Sequence, residues 1–129
     1  RQRQMCIRDR SIAAMAAIRA DETDIKNILT ACENTEKLLL ANKNHAEKDI
    51  AFHTAIALSS KNIVVPKLVP IINSSIPLIR ESAKFTMRDE TIEIHREIAD
   101  AIAAHDAVRA HDAMYLHLIY NRKHIKSIN

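Results

Sequence analysis

The chain has 129 residues, enough for one domain with a buried core; alanine and aliphatic residues dominate it, and aromatics make up 3%. Its formal net charge of +3 is already carried by residues 1–10, where Arg1, Arg3, Arg8 and Arg10 outweigh Asp9. The remainder is therefore neutral, and the basic pI is no argument for nucleic-acid or anionic-membrane binding. No apolar run approaches the ~20 residues that a bilayer span requires, and strand-formers do not cluster in alternating runs, so the composition points to a soluble all-α domain.

The opening RQRQMCIRDR has neither an amphipathic period nor a signal-peptide core. MCIRD resembles what one frame of a transposon-end sequencing adaptor encodes, so residues 1–10 read as a disordered or artefactual head and 11–129 as the domain. Cys6 leaves with the head, and Cys32 alone cannot form an internal disulfide, which fits the cytoplasm. SIAAMAAIRA (11–20) reads as the tail of a helix already under way, the rest of which belongs to a larger protein.

DETDIKNILTACENTEKLLLAN comes next, with acidic residues suited to a helix N-terminus, and places Ile25, Ile28, Leu29, Cys32 and Leu39 on one side. A further helix is predicted over 45–59, ending in SSKN. The chain contains no glycine, so helix ends that need a left-handed residue must use Lys, Asn or His, at a cost of about 1 kcal/mol each. Lys61 is one such residue, and Asn62 can cap the segment after it.

IVVPKLVPIINSSIPLIRESA is apolar but carries Pro66, Pro70 and Pro77, which predicts a broken or kinked core helix. Helices are then expected over 89–104 and over AVRAHDAMYLHLIYNRKHIKSI, with His105 terminating the first and Asp106 capping the second. The sum is an antiparallel helical bundle of about six helices.

Helical phase singles out four residues. The inward stripes run Ala46, Ile50, His53, Ile56, Ala57; then Ile92, His95, Ile98 or Ala99, Ile102; then Ala110, Met114, His117, Asn121, Ile125. Three histidines thus face the core from three helices, and Asp49 lies one turn before His53. Phase permits two readings: a hydrogen-bonded polar core, or a divalent metal that satisfies one nitrogen on each ring. Imidazole with carboxylate suits Zn²⁺, Ni²⁺, Mn²⁺ or Fe²⁺. His45 and His105 fall at helix ends, His111 on a polar face and His124 on a fraying end. Asn121 can donate to a ligand or satisfy a core neighbour.

DIAFHTAIALSSKN, followed by EIHREIADAIAAHDAVRAHDAMYLHL, resembles the ligand-binding (FCD) domain of GntR-type bacterial transcription regulators of the FadR subgroup. The family forms are D-x-x-F-H-x-x-[LI]-x-x-[AS]-[ST]-G-N, and E-H-x-x-I-x-x-A-I-x-x-G-D with A-x-x-x-M-x-x-H-[LI]. The likeness spans about 11–120. It implies a divalent metal, most often zinc, held by Asp49, His53, His95 and His117 in a central cavity. A small carboxylate or hydroxy acid would bind at or near that metal as effector. The resemblance further implies a homodimer, and operator binding through an N-terminal winged helix-turn-helix domain absent from these residues. Lys61 and His105 replace glycines of the pattern, Ile94 replaces a glutamate, and the three prolines are unusual.

Arg19 and Arg80 are the cations whose planar fork suits an effector carboxylate, beside Asn121; each arginine reads equally as a solvated surface residue. The competing classes are a metal-dependent helical-bundle hydrolase and a bundle with a purely structural metal. No further carboxylate or histidine falls on the inward stripes as a general base, which favours a non-enzymatic sensor.

Overall fold

The computed structural model describes residues 12–62 and 88–128, with residues 120–128 described by backbone alone. The described residues form five helices and no strand: α1 (12–19), α2 (Glu22–Leu40), α3 (Ala46–Ser59), α4 (Arg88–Ala103) and α5 (Ala107–Ile128). The head lies outside the described residues, and so does the proline-rich segment with its expected kinked helix.

Local chemistry explains where the helices start. Asp21 and Asp24 form a reciprocal capping box at α2: the Asp24 amide donates to Asp21 Oδ1 (2.8 Å) and the Asp21 amide to Asp24 Oδ2 (3.1 Å). Asn44 Oδ1 accepts from the Ala46 amide at 3.0 Å at the start of α3. Asp106 Oδ1 accepts from the Arg109 amide at 3.1 Å, the expected cap of α5.

The ends show how a glycine-free chain stops a helix. Asn42, Lys61 and His105 all adopt left-handed backbone, with φ of 55°, 57° and 57°. After α2 the Lys43 amide donates to Leu38 O (2.9 Å) and the Asn42 amide to Leu39 O (3.1 Å); after α4 the Asp106 amide donates to Ala101 O (2.9 Å) and the His105 amide to Ile102 O (3.0 Å). Both are Schellman endings. Lys61 offsets its strain with an ion pair to Asp24 (2.7 Å), and His105 with a bond from Nδ1 to Ala17 O (2.8 Å). No such offsetting bond accompanies Asn42. Asn42→Gly is expected to raise stability by a few tenths to about 1 kcal/mol, measured by urea unfolding; a loss of stability would contradict the strain argument.

The short turns make α2 and α3, and α4 and α5, antiparallel neighbours, and α2 also packs on α4. The core gathers Ile28 and Cys32 of α2, Phe52 and Ile56 of α3, Ile98 and Ile102 of α4, and Met114 of α5. α1 and the residue that follows it contribute Ala13, Ala16, Ala17 and Ala20, a three-and-four spacing whose small side chains let neighbours approach closely. On α2 the expected stripe shifts slightly: Leu29 is exposed, whereas Thr35 is buried and satisfied by donating to Ala31 O at 2.9 Å. On α4, Ile92 is only half-buried, and Thr91 is buried in its place. Among the described residues no helix is long and apolar enough to cross a membrane.

Candidate metal centre

α3 supplies Asp49 and His53 at a four-residue spacing, α4 supplies His95 and α5 supplies His117, so three helices aim at one point. His95 and His117 are 2% and 3% exposed, while His53 and Asp49 form the more open side. One ring nitrogen from each histidine lies within 4.8 Å of the other two. His53 Nε2 and His117 Nε2 are 3.2 Å apart with the rings nearly parallel, and the His95 ring stands edge-on to both. Zn–N bonds of about 2.0–2.1 Å in tetrahedral geometry place nitrogens about 3.3 Å apart, so the His53–His117 pair already matches and His95 needs only a small approach.

Asp49 Oδ1 lies 3.2 Å from His95 Nε2 and 3.4 Å from His53 Nε2. The contact with His95 is close enough for ionic attraction but off the direction of a hydrogen bond. Asp49 Oδ1 and both His95 ring nitrogens are buried without a hydrogen-bond partner. Such groups normally cost about 1–3 kcal/mol each; an imidazole turns only one nitrogen toward a shared point, so Asp49 Oδ1 and one His95 nitrogen join the other two histidines as a donor set in want of a cation. The residues present therefore fit a divalent metal.

Charge effects agree. Burial pushes the Asp49 carboxyl up, but the pull of His53 and His95 outweighs it and holds the group well below the usual carboxylate range. Burial, reinforced by His53 and His95 and opposed by Asp49, holds the His117 imidazole well below its ordinary value. Both groups are thus in their metal-ready, deprotonated forms at neutral pH. For the metal-free chain this fixes a direction: below about pH 6.5 the unfolded chain takes up a proton that folded His117 resists. Stability should fall as pH drops from 7.5 to 5.5, whereas Asp49 acts only in stronger acid. Thermal melts in chelator test this, and a midpoint that rises over that interval would refute it.

Phase alone did not reveal Phe52 or His45. Phe52 is fully buried with its ring 4.8 Å from His95 and 5.5 Å from His53, forming the apolar floor of the cluster. Its signal lay in the F-H pair of the α3 motif. His45, assigned to a helix end, is buried one turn before Asp49. Of the three residues considered for an effector, Arg19 donates through Nη1 to Ser60 O (3.1 Å) and caps the C-terminal end of α3. Arg80 lies outside the described residues, and Asn121 follows His117 by one turn on the part of α5 described by backbone alone.

The class the structure defines is an all-helical bundle with imidazoles converging from three of its helices. The FCD domain model matches residues 9–119. The chain belongs to that family, the FCD domains of GntR-family transcription regulators. It is 29% identical over 114 residues to the uncharacterized HTH-type transcriptional regulator YcbG of Bacillus subtilis (strain 168), covering 88% of this chain and 48% of that protein. It superposes on Streptococcus agalactiae GntR with a TM-score of 0.81 and 31% identity, covering 95% of this chain and 56% of the other. The chain therefore spans about half the length of these relatives.

Proposed function

We propose that this domain is the metal-dependent, small-molecule sensing module of a GntR-type regulator. Asp49, His53, His95 and His117 hold a divalent metal, zinc by its preference for imidazole with carboxylate, with nickel or manganese as the alternatives. Bound there, the cation supplies a Lewis-acidic anchor for a carboxylate or hydroxy-acid oxygen of an effector. The observation that carries this reading is the gathering of one ring nitrogen from each of His53, His95 and His117 within 4.8 Å of one another, with the unsatisfied buried Asp49 Oδ1 3.2 Å from His95 Nε2.

The chain's own residues divide the work. His53 and Asp49 form the open side through which a ligand enters, and Phe52 excludes water from the buried side. Asn121, one turn beyond His117, and Arg80 are the effector contacts we assign, with Arg19 as a third contact and second cation. α1 offers a route for the signal. Its last turn is tied to the end of α3 by Arg19 and to the α4–α5 turn by His105, so rearrangement of the ligand helices moves it. In the cytoplasmic homodimer that motion resets the spacing of winged helix-turn-helix domains outside these residues, and DNA is contacted only through them. The module itself catalyses nothing.

The test is metal content by mass spectrometry of the purified chain beside a variant with Asp49, His53, His95 and His117 all changed to alanine. About one metal per chain, lost in the variant, supports the reading; small carboxylic acids are then screened by thermal shift. A well-folded chain that takes up no metal even after reconstitution would refute it. A metal present with no response to any acid would make the centre structural, and turnover of a hydrolysable substrate would make it catalytic.

A further inference from the structure

The end of α1 lacks a donor that its own backbone would normally supply. In a helix that continued, the Asp21 amide would bond to Ala17 O; here that amide turns to Asp24 Oδ2 (3.1 Å), as half of the α2 capping box. Ala17 O is served from elsewhere. His105 Nδ1 lies 2.8 Å from it, although the two residues are 88 apart in sequence. A carbonyl oxygen only accepts, so Nδ1 carries the proton in this contact. His105 is also the left-handed residue, with φ of 57°, at which α4 ends and the chain turns into α5. Glycine takes such a position without steric cost and histidine does not. What histidine adds is a side chain that reaches α1. The other attachments of α1 are slight. Of its larger side chains Ile12 is buried and Met15 half-buried, Ile18 is 68% exposed, and the rest of its buried face is alanine. Arg19 adds one bond, to Ser60 O at 3.1 Å. An element with so little apolar burial opens locally before the rest of a domain does.

We propose that α1 is a releasable strap and His105 its latch. The bond from Nδ1–H to Ala17 O holds the last turn of α1 on the α4–α5 turn, and breaking it frees α1 while α2 to α5 stay packed. The latch sits where α4 and α5 meet, and these helices carry His95 and His117, so a tilt of either helix about this turn strains the bond. It requires no metal to be bound. The left-handed backbone at His105 and the bond to α1 belong together: the strain is tolerated because the ring it positions closes the strap.

The experiment compares the 129-residue chain with its His105→Gly and His105→Asn variants by residue-resolved amide hydrogen exchange in chelator, with a urea midpoint for each. Both replacements accept left-handed backbone, but only asparagine keeps an N–H donor as far along the side chain as Nδ1. His105→Gly is expected to speed exchange of the amides from Ala16 to Ala20 about 3–10-fold. The amides of Ile28 and Ile56 should stay within about twofold, and the urea midpoint should be unchanged or higher. His105→Asn should stay within about twofold of the parent throughout. In the parent chain at about pH 9, where a free imidazole is neutral, nitrogen-15 shifts should place the His105 proton on Nδ1. That measurement decides even if a variant fails to fold, because a proton on Nε2 would overturn the inference. So would parent-like exchange of α1 in His105→Gly, or equal acceleration by glycine and asparagine. Faster exchange in every helix together with a lower midpoint would make His105 an ordinary part of the fold and overturn it as well.

Discussion

His95→Leu should abolish stoichiometric metal uptake while leaving the metal-free chain as stable as its parent, or more so. The two halves of that expectation have one cause. His95 is 2% exposed and neither of its ring nitrogens has a hydrogen-bond partner, so without a cation the imidazole is a net burden on the fold. Removing an unsatisfied buried polar group recovers about 1–3 kcal/mol, and leucine refills the space beside Phe52 with apolar atoms. With a cation, the same nitrogen is one of the few bonds holding it, and its loss should lower affinity by about 100-fold or more. Melts in chelator and metal analysis after dialysis read the two halves separately. Retained metal would remove His95 from the ligand set; a metal-free variant destabilised by several kcal/mol would show that the ring is already satisfied.

Phe52→Ala should be the most damaging single change to the fold, costing about 3–5 kcal/mol against a total stability of about 5–15 kcal/mol for a domain. Phe52 is the largest fully buried side chain among the described residues, and its ring touches His53 and His95. The cavity would therefore open beneath the ligand cluster, and metal affinity should fall together with stability. Leu58→Ala, six residues on along the same helix but 54% exposed, should change stability by no more than about 0.5 kcal/mol. Urea unfolding of the pair measures the contrast, and similar losses at both positions would contradict the burial argument.

How much of this was legible beforehand depended on whether a side chain's surroundings are set within one helix or between helices. Asp49, His53, His95 and His117 could be read as a group because a 3.6-residue period fixes which face each occupies, and all three helix faces carried aliphatic neighbours. The left-handed ends at Lys61 and His105 were legible for a similar reason: apolar periods stop there, and no glycine exists to take the position. Arg19 was not legible. Its partner is a carbonyl 41 residues away at a helix end, a tertiary relation that no local pattern encodes. His45 was missed because an N-cap residue lies outside the helical period, so phase does not say whether its side chain turns in or out. The exchange of Leu29 for Thr35 on α2 reflects the same limit: threonine satisfied its hydroxyl within its own helix and so could be buried at little cost.

The distribution of the four donors over the chain makes their order of arrival unequal. Asp49 and His53 come within reach of each other as soon as one turn of α3 winds up, a local event on the sub-microsecond scale. His95 and His117 must be brought in from helices far along the sequence, and only chain closure does that. A nascent or partly denatured chain thus offers a cation two weak donors, and a completed one offers four. On the proposed reading of these four residues as metal ligands, occupancy of the centre would therefore report completed tertiary assembly.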